Sequence, residues 1–152
     1  MNYLETKVLL ADDDMDDCLL FRDALNELPI PTTLSIVNNG EELIDHLKGM
    51  SGALPAVLFL DLNMPRKNGS ECLSEIKAEL PFSDIPVVIM STSCDDRKAR
   101  ELYEKGAYNL ICKPPDFNRL KKEILNVLTL IQKSVSRPSI EEFIITQHMS
   151  VA

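Results

Sequence analysis

The stretch Val57-Leu58-Phe59-Leu60-Asp61-Leu62-Asn63-Met64-Pro65-Arg66-Lys67-Asn68-Gly69 decides how this chain is read. An apolar run from Ala56 to Leu60 stops at one carboxylate, Asp61, and a turn carrying Pro65 and Gly69 follows. A continuous apolar run, rather than an alternating one, predicts a strand buried on both faces. In open α/β sheets, ligands bind beyond the carboxyl ends of such strands. Asp61 therefore stands where this kind of fold places its chemistry. A turn-capping Asp is the alternative, and the rest of the chain decides between them.

Upstream, Lys7-Val8-Leu9-Leu10-Ala11 is a second short apolar run, ending in Asp12-Asp13-Asp14. A helical pattern follows from Met15 to about Leu28, with Leu20, Ala24 and Leu28 spaced by four. Asp14 suits its N-cap, and Asp16 and Asp17 suit its positive end. Thr33 to Val37 is rich in β-branched residues and predicts a strand, and Gly40 to about Lys48 predicts a helix carrying Leu43, Ile44 and Leu47. Downstream, helices are expected over Ser70–Leu80 (Leu73, Ile76 and Leu80 on one face), Asp95–Lys105 and Phe117–Gln132. The last carries a stripe of Leu120, Ile124, Val127 and Ile131. Strands are expected over Pro86–Ser91 and Asn109–Lys113. Strand and helix thus alternate five times, which specifies a parallel sheet with helices on both faces. The expected fold is a flavodoxin-like (βα)5 three-layer sandwich with strand order 2-1-3-4-5. Residues 1–132 form the domain, and residues 133–152 form a tail that is a short helix or disordered.

Composition narrows the function. The chain has 152 residues, 45% of them hydrophobic, and a net charge of −8. That is enough for one core without staples, and the acidity argues against a nucleic-acid backbone as the main partner. Cys18, Cys72, Cys94 and Cys112 are widely spaced and form no Cys-x-x-Cys pair, which fits a reduced chain better than a disulfide framework or a zinc site. No apolar stretch is long enough to span a bilayer and the N-terminus lacks a signal-peptide pattern, so the expected location is cytoplasmic. His46 and His148 have no partners at metal spacing and are assigned to structure or solvent.

Under the expected strand order, Asp12, Asp13 and Asp61 meet at one sheet edge, with Ser91 and Lys113 ending neighbouring strands there. Unit charges about 4 Å apart repel by about 4 kcal/mol per pair at an effective dielectric near 20. A hard divalent cation compensates best, and magnesium favours carboxylate oxygens together with a phosphate. Lys113 supplies a fixed positive charge and Ser91 a hydroxyl for a phosphoryl oxygen. A carboxylate can be the nucleophile in aspartyl-phosphate chemistry, where positioning and charge stabilisation carry most of the catalysis.

These motifs resemble the response-regulator receiver domain of two-component signalling. The residues that carry the likeness are Leu9-Leu10-Ala11-Asp12-Asp13-Asp14, Asp61-Leu62-Asn63-Met64-Pro65 with Gly69, Ile85-Pro86-Val87-Val88-Ile89-Met90-Ser91, Gly106-Ala107 and Lys113-Pro114. The likeness spans about residues 7 to 131. It implies that Asp61 accepts a phosphoryl group from a sensor histidine kinase or a histidine phosphotransfer protein. Asp13, Asp61 and the Asn63 backbone carbonyl would ligate Mg2+, with Asp12 acting mainly through metal-bound water. Lys113 would bind the phosphoryl oxygens and Ser91 would carry the switch. The resemblance also implies a cis Lys113–Pro114 bond. Output would pass to a protein target through the Asp95–Gln132 surface of a monomer or weak homodimer, with no DNA binding, no membrane insertion and no turnover enzymology.

Two positions depart from the family pattern. Leu110 stands where many members have an aromatic residue, with Tyr108 two residues earlier, which leaves backbone movement around Ser91 to relay the signal. Thr92 stands where a small Ala is common and crowds the entrance. Two other functions fit parts of this pattern. A haloacid-dehalogenase-like aspartyl phosphatase requires a second Asp two residues after the first, and that position is Asn63. An interaction module independent of phosphorylation predicts loss of Asp61, Asp13 or Lys113, and all three are present. Ile140, Phe143, Ile144 and Ile145 cluster in the tail. They dock on this domain or on a second copy, or they belong to an untethered terminus.

Overall fold

The computed structural model describes residues 5–50, 52–79, 81–113, 116–133 and 136–144. Five strands, β1 (Thr6–Ala11), β2 (Thr32–Val37), β3 (Val57–Asp61), β4 (Val87–Ser91) and β5 (Asn109–Cys112), alternate with α1 (Met15–Asn26), α2 (Gly40–Gly49), α3 (Gly69–Lys77), α4 (Asp96–Glu104) and α5 (Phe117–Gln132). The sheet is parallel, in the order β2-β1-β3-β4-β5. The expected flavodoxin-like topology is therefore present.

Strand alternation builds two cores. Leu9, Leu58, Leu60, Ile89 and Leu110 face α2, α3 and α4 and pack with Leu43, Leu73, Ile76 and Leu102. Val8, Leu10, Phe59, Val88 and Ile111 face the other way, onto Phe21, Leu25, Ile124 and Val127 of α1 and α5. Successive side chains of a strand point to opposite faces, so a run buried on both sides must be apolar throughout. β3 and β4 meet that demand, every residue of each being buried.

The helices begin as the sequence suggests. Asp14 caps α1 by accepting from the Asp17 N–H, and Asn68 with Glu71 forms a capping box on α3. The face of α1 differs from the expected one. Cys18, Phe21, Ala24 and Leu25 are buried, while Leu20 is 41% exposed. α1 and α3 also end earlier than expected, at Asn26 and Lys77. After α3 the chain tightens into a 3-10 turn at Phe82–Asp84. The expected packing of Leu80, the Lys113–Pro114 bond, His148 and the tail from Ile145 onward lie outside the described residues. No helix among the described residues is long and apolar enough to cross a membrane.

Residues 136–144 lie against α4 and β5. Phe143 is fully buried and stacks edge-on against Tyr103 with ring centroids 5.2 Å apart. Its carbonyl accepts from the Leu110 N–H at 3.0 Å and from Asn109 Nδ2 at 3.2 Å, and Ile144 forms a parallel bridge to Leu110. The Arg137 guanidinium sits 3.8 Å from the Tyr103 ring centroid and donates to the Tyr103 and Ala107 carbonyls. This segment extends the open edge of the sheet beyond β5.

Gly69 sits where the chain returns from the loop after β3. Its N–H donates to the Leu62 carbonyl at 2.9 Å. A Cβ at this position would lie 2.5 Å from the Asp61 carbonyl oxygen and 2.8 Å from Leu62 Cα, both backbone atoms. Gly69→Ala is therefore expected to lower stability by about 1–3 kcal/mol through overpacking. Gly49→Ala is the comparison, because nothing lies within 4 Å of its Cβ position. Denaturant midpoints should separate the two, and a Gly69 variant as stable as the Gly49 variant would refute the close approach.

Candidate functional site

Three strands deliver the site at their carboxyl ends. β1 delivers Asp12, 1% exposed, whose Oδ1 accepts from the Asp14 N–H at 2.9 Å and whose backbone carbonyl accepts from Asn38 Nδ2 at 3.1 Å. β3 delivers Asp61, 5% exposed. The Leu62 N–H beyond it donates to Met90 O at 3.0 Å, which fixes the exit of the loop. Lys113 follows β5, and its N–H donates to Ser91 O at 2.9 Å. Each of Asp12, Asp13 and Asp61 offers one carboxylate oxygen, and these oxygens lie within 4.8 Å of one another. An all-oxygen, anionic donor set of this size suits a hard divalent cation.

Lys113 is the counter-charge. Its Nζ lies 3.4 Å from Asp12 Oδ2, 3.4 Å from Asp61 Oδ1 and 2.7 Å from Asp17 Oδ2. Asp17 was expected only to serve the helix dipole, yet it holds the shortest of these contacts.

The electrostatics follow from burial against a single cation. Burial pushes the Asp61 carboxyl up to about 6; Lys113 pulls it back, and Asp12 pushes it further up. Asp12 is raised as well, again chiefly by burial and opposed by its bond from the Asp14 N–H and by Lys113. Burial pulls the Lys113 ammonium down, but its hydrogen bond to Asp17 and the charges of Asp12 and Asp61 outweigh this and raise it. One ammonium is too little for the carboxylates it faces, so the site is short of positive charge.

The remaining expected residues fall into place unevenly. Asn63 is exposed in the loop after β3. Ser91 is fully buried, and its hydroxyl is turned onto the next loop. It donates to Ser93 O at 2.9 Å and accepts from the Ser93 N–H at 3.0 Å. The one hydrogen of the hydroxyl is thus engaged by Ser93 O. Tyr108 and Leu110 are both buried. Cys18 and Cys72 are free, as expected, and buried, but Cys94 and Cys112 are joined, with Cα atoms 5.9 Å apart. The expectation of a reduced chain is corrected at Cys94 and Cys112. The register that sets Ser91 beside Cys112 brings the loop after β4 across the end of β5, and a separation of 18 residues hides this in the sequence.

Comparison with known proteins agrees with this geometry. Residues 8–125 match the model of the response regulator receiver domain. The chain is 30% identical over 120 residues to a probable methanogenesis regulatory protein, FilR2, of Methanothrix harundinacea, covering 77% of each chain. It is 27% identical to the response regulator Rcp1 of Synechocystis, covering 87% of this chain and 92% of that protein. A solved Mn2+-bound form of Rcp1 superposes with a TM-score of 0.75, covering 88% of this chain and 99% of that one. The phosphorylated cyanobacterial phytochrome response regulator RcpA, 27% identical, gives a TM-score of 0.78 and covers 90% of this chain and all of its own. Other relatives are longer; the chain spans 54% of a response regulatory protein of Vibrio cholerae. The parallel sheet, the acidic cluster at its edge and the match across residues 8–125 place this chain in the response regulator receiver domain family of two-component signalling.

Proposed function

We propose that this protein is a phosphorylation-operated switch in which Asp61 accepts a phosphoryl group in a Mg2+-dependent reaction and output passes through protein contacts. The observation that carries the reading is a buried Asp61 clustered with Asp12 and Asp13, with Lys113 Nζ 3.4 Å from both Asp61 and Asp12. An Asp61 oxygen attacks the phosphorus of a phosphohistidine on a kinase or phosphotransfer protein. The P–N bond breaks, its electron pair returns to the imidazole, and an acyl phosphate remains on Asp61. Asp13, Asp61 and the Asn63 carbonyl would hold the metal, with Asp12 acting chiefly through metal-bound water, and the Mn2+-bound form of Rcp1 supports such a site. The bound cation would supply charge neutralisation for the phosphoryl oxygens.

Lys113 binds the phosphoryl oxygens. To do so it exchanges its short contact with Asp17 for the incoming group. Ser91 releases Ser93 and turns toward the phosphoryl group. The Met15, Leu19 and Leu20 side chains are exposed on α1, and Leu20 lines a cavity shared with Asp12, Asp17 and Lys113. An apolar face next to the acceptor suits docking of the donor protein. Output uses the surface between Asp95 and Gln132, and residues 136–144 cover part of it along α4 and β5. Release of the phosphoryl group by water is self-catalysed hydrolysis rather than enzymatic turnover.

Asp13→Ala tests the metal assignment. Asp13 is exposed, so the fold should persist while Mg2+ affinity and the rate of phosphorylation by a small phosphodonor fall together by about tenfold or more. Metal titration and phosphorylation kinetics on one preparation check this. Normal phosphorylation in the variant would refute the ligand set.

A further inference from the structure

Cys94 immediately precedes Asp95, the N-cap of α4, and Cys112 ends β5, one residue before Lys113. Their Cα separation of 5.9 Å lies in the range that bridges without backbone movement. Both are half-buried and reachable by a small reagent. The other two thiols contrast with them. Cys18 and Cys72 are buried, and their thiols are pushed up to about 11, burial being the main cause in each. They are poor nucleophiles and poor competitors for exchange.

We propose that Cys94 and Cys112 form a reversible disulfide that responds to redox conditions and locks the output side of the switch. The proposal rests on the receiver reading above. The oxidant is a low-molecular-weight disulfide. One protein thiolate attacks it, forming a mixed disulfide and releasing one small thiol. The second protein thiolate then attacks the protein sulfur of that mixed disulfide and releases the second small thiol. The two cysteines lose two hydrogens and two electrons, and the small disulfide is reduced to two thiols.

The consequence follows from what lies between the two sulfurs. The segment Ser91–Asp95 carries the hydroxyl that must leave Ser93, and Cys94 Sγ lies 3.4 Å from the Ser91 carbonyl oxygen. The bridge fixes this segment to the end of β5. Asp61, Asp12 and Asp13 come from β1 and β3 and their loops, which the bridge does not touch. Oxidation therefore leaves the acceptor in place and opposes the rearrangement that carries its state to α4 and β5. A ligand and a modification that favour different states oppose each other reciprocally. The disulfide weakens binding of a phosphoryl mimic, and the mimic makes the disulfide easier to reduce.

The test uses the full chain equilibrated in reduced or oxidised glutathione, with Mg2+ and beryllofluoride as the probe. Intact mass should register the loss of two hydrogens on oxidation, and peptide mapping should find Cys94 joined to Cys112. Beryllofluoride affinity should fall about fivefold or more on oxidation. Cys94→Ala should bind the probe equally in both buffers. No hydrogen loss in oxidised glutathione, or equal affinity in the two forms of the wild type, overturns the proposal while leaving the receiver reading intact. If neither form binds beryllofluoride, the receiver reading fails, and the lock falls with it.

Discussion

Asp61→Asn is expected to raise the unfolding free energy of the metal-free protein by about 2–3 kcal/mol at pH 7, a gain large enough to dominate a denaturation curve. The carboxyl is held near 6 in the folded protein against an ordinary value of 3.8, first by burial, with Lys113 opposing and Asp12 adding. Below about pH 4 it is protonated in both folded and unfolded chains and costs nothing. As pH rises from about 4 to 6 the unfolded chain releases its proton while the folded chain keeps it, so stability falls through that window. Above about 6 the cost is complete. Asn carries no charge, so the variant escapes it, and Lys113 keeps Asp12 and Asp17 as partners. The advantage should therefore be present at pH 7 and absent at pH 3.5. Adding Mg2+ should narrow it, since ten times the dissociation constant stabilises the wild type by about 1.4 kcal/mol. Wild type and variant of equal stability at pH 7 without metal would mean that the acidic cluster is not strained.

Phe143→Ala should cost about 3–5 kcal/mol, a loss typical of a large side chain removed from a packed core. The residue lies beyond α5 in sequence, yet it is fully buried, stacked on Tyr103 and bonded through its carbonyl to Leu110 and Asn109. Ala keeps the backbone carbonyl that accepts from Leu110 and Asn109, so the expected loss is that of the buried ring. Thermal or urea unfolding checks the magnitude. A midpoint unchanged by the substitution would mean that the segment does not belong to the folded unit. The same residues cover α4 and β5, so a partner reading that surface reads Tyr103, Arg137 and the tail together rather than α4 and α5 alone.

The order of elements was legible because strand periodicity is blunt. Ala56–Leu60 and Val87–Met90 leave no polar face, and only a parallel sheet covered on both sides accepts such runs. The α1 face was less legible. Spacing by four picks out Leu20, Ala24 and Leu28, whereas packing against α5 and the sheet selects Cys18, Phe21, Ala24 and Leu25. The acidic cluster and Lys113 could be placed from strand order alone, since each directly follows a strand. Asp17 could not, because its reach to Lys113 depends on the angle at which α1 leaves the loop. The Cys94–Cys112 pair depends on β4–β5 register, which no local pattern encodes. The tail was ambiguous because four apolar residues suit a docked segment and an exposed one equally well; only the partners at Tyr103 and Leu110 separate the two.

The measurement closest to the central claim is intact-mass spectrometry of the reduced protein after incubation with Mg2+ and acetyl phosphate, with Asp61→Asn run in parallel. The account predicts one added phosphoryl group on the wild type and none on the variant, with addition abolished by a metal chelator. Equal addition on both proteins would contradict Asp61 as the acceptor. No addition on the wild type, together with no beryllofluoride adduct, would contradict a phosphorylation-operated switch.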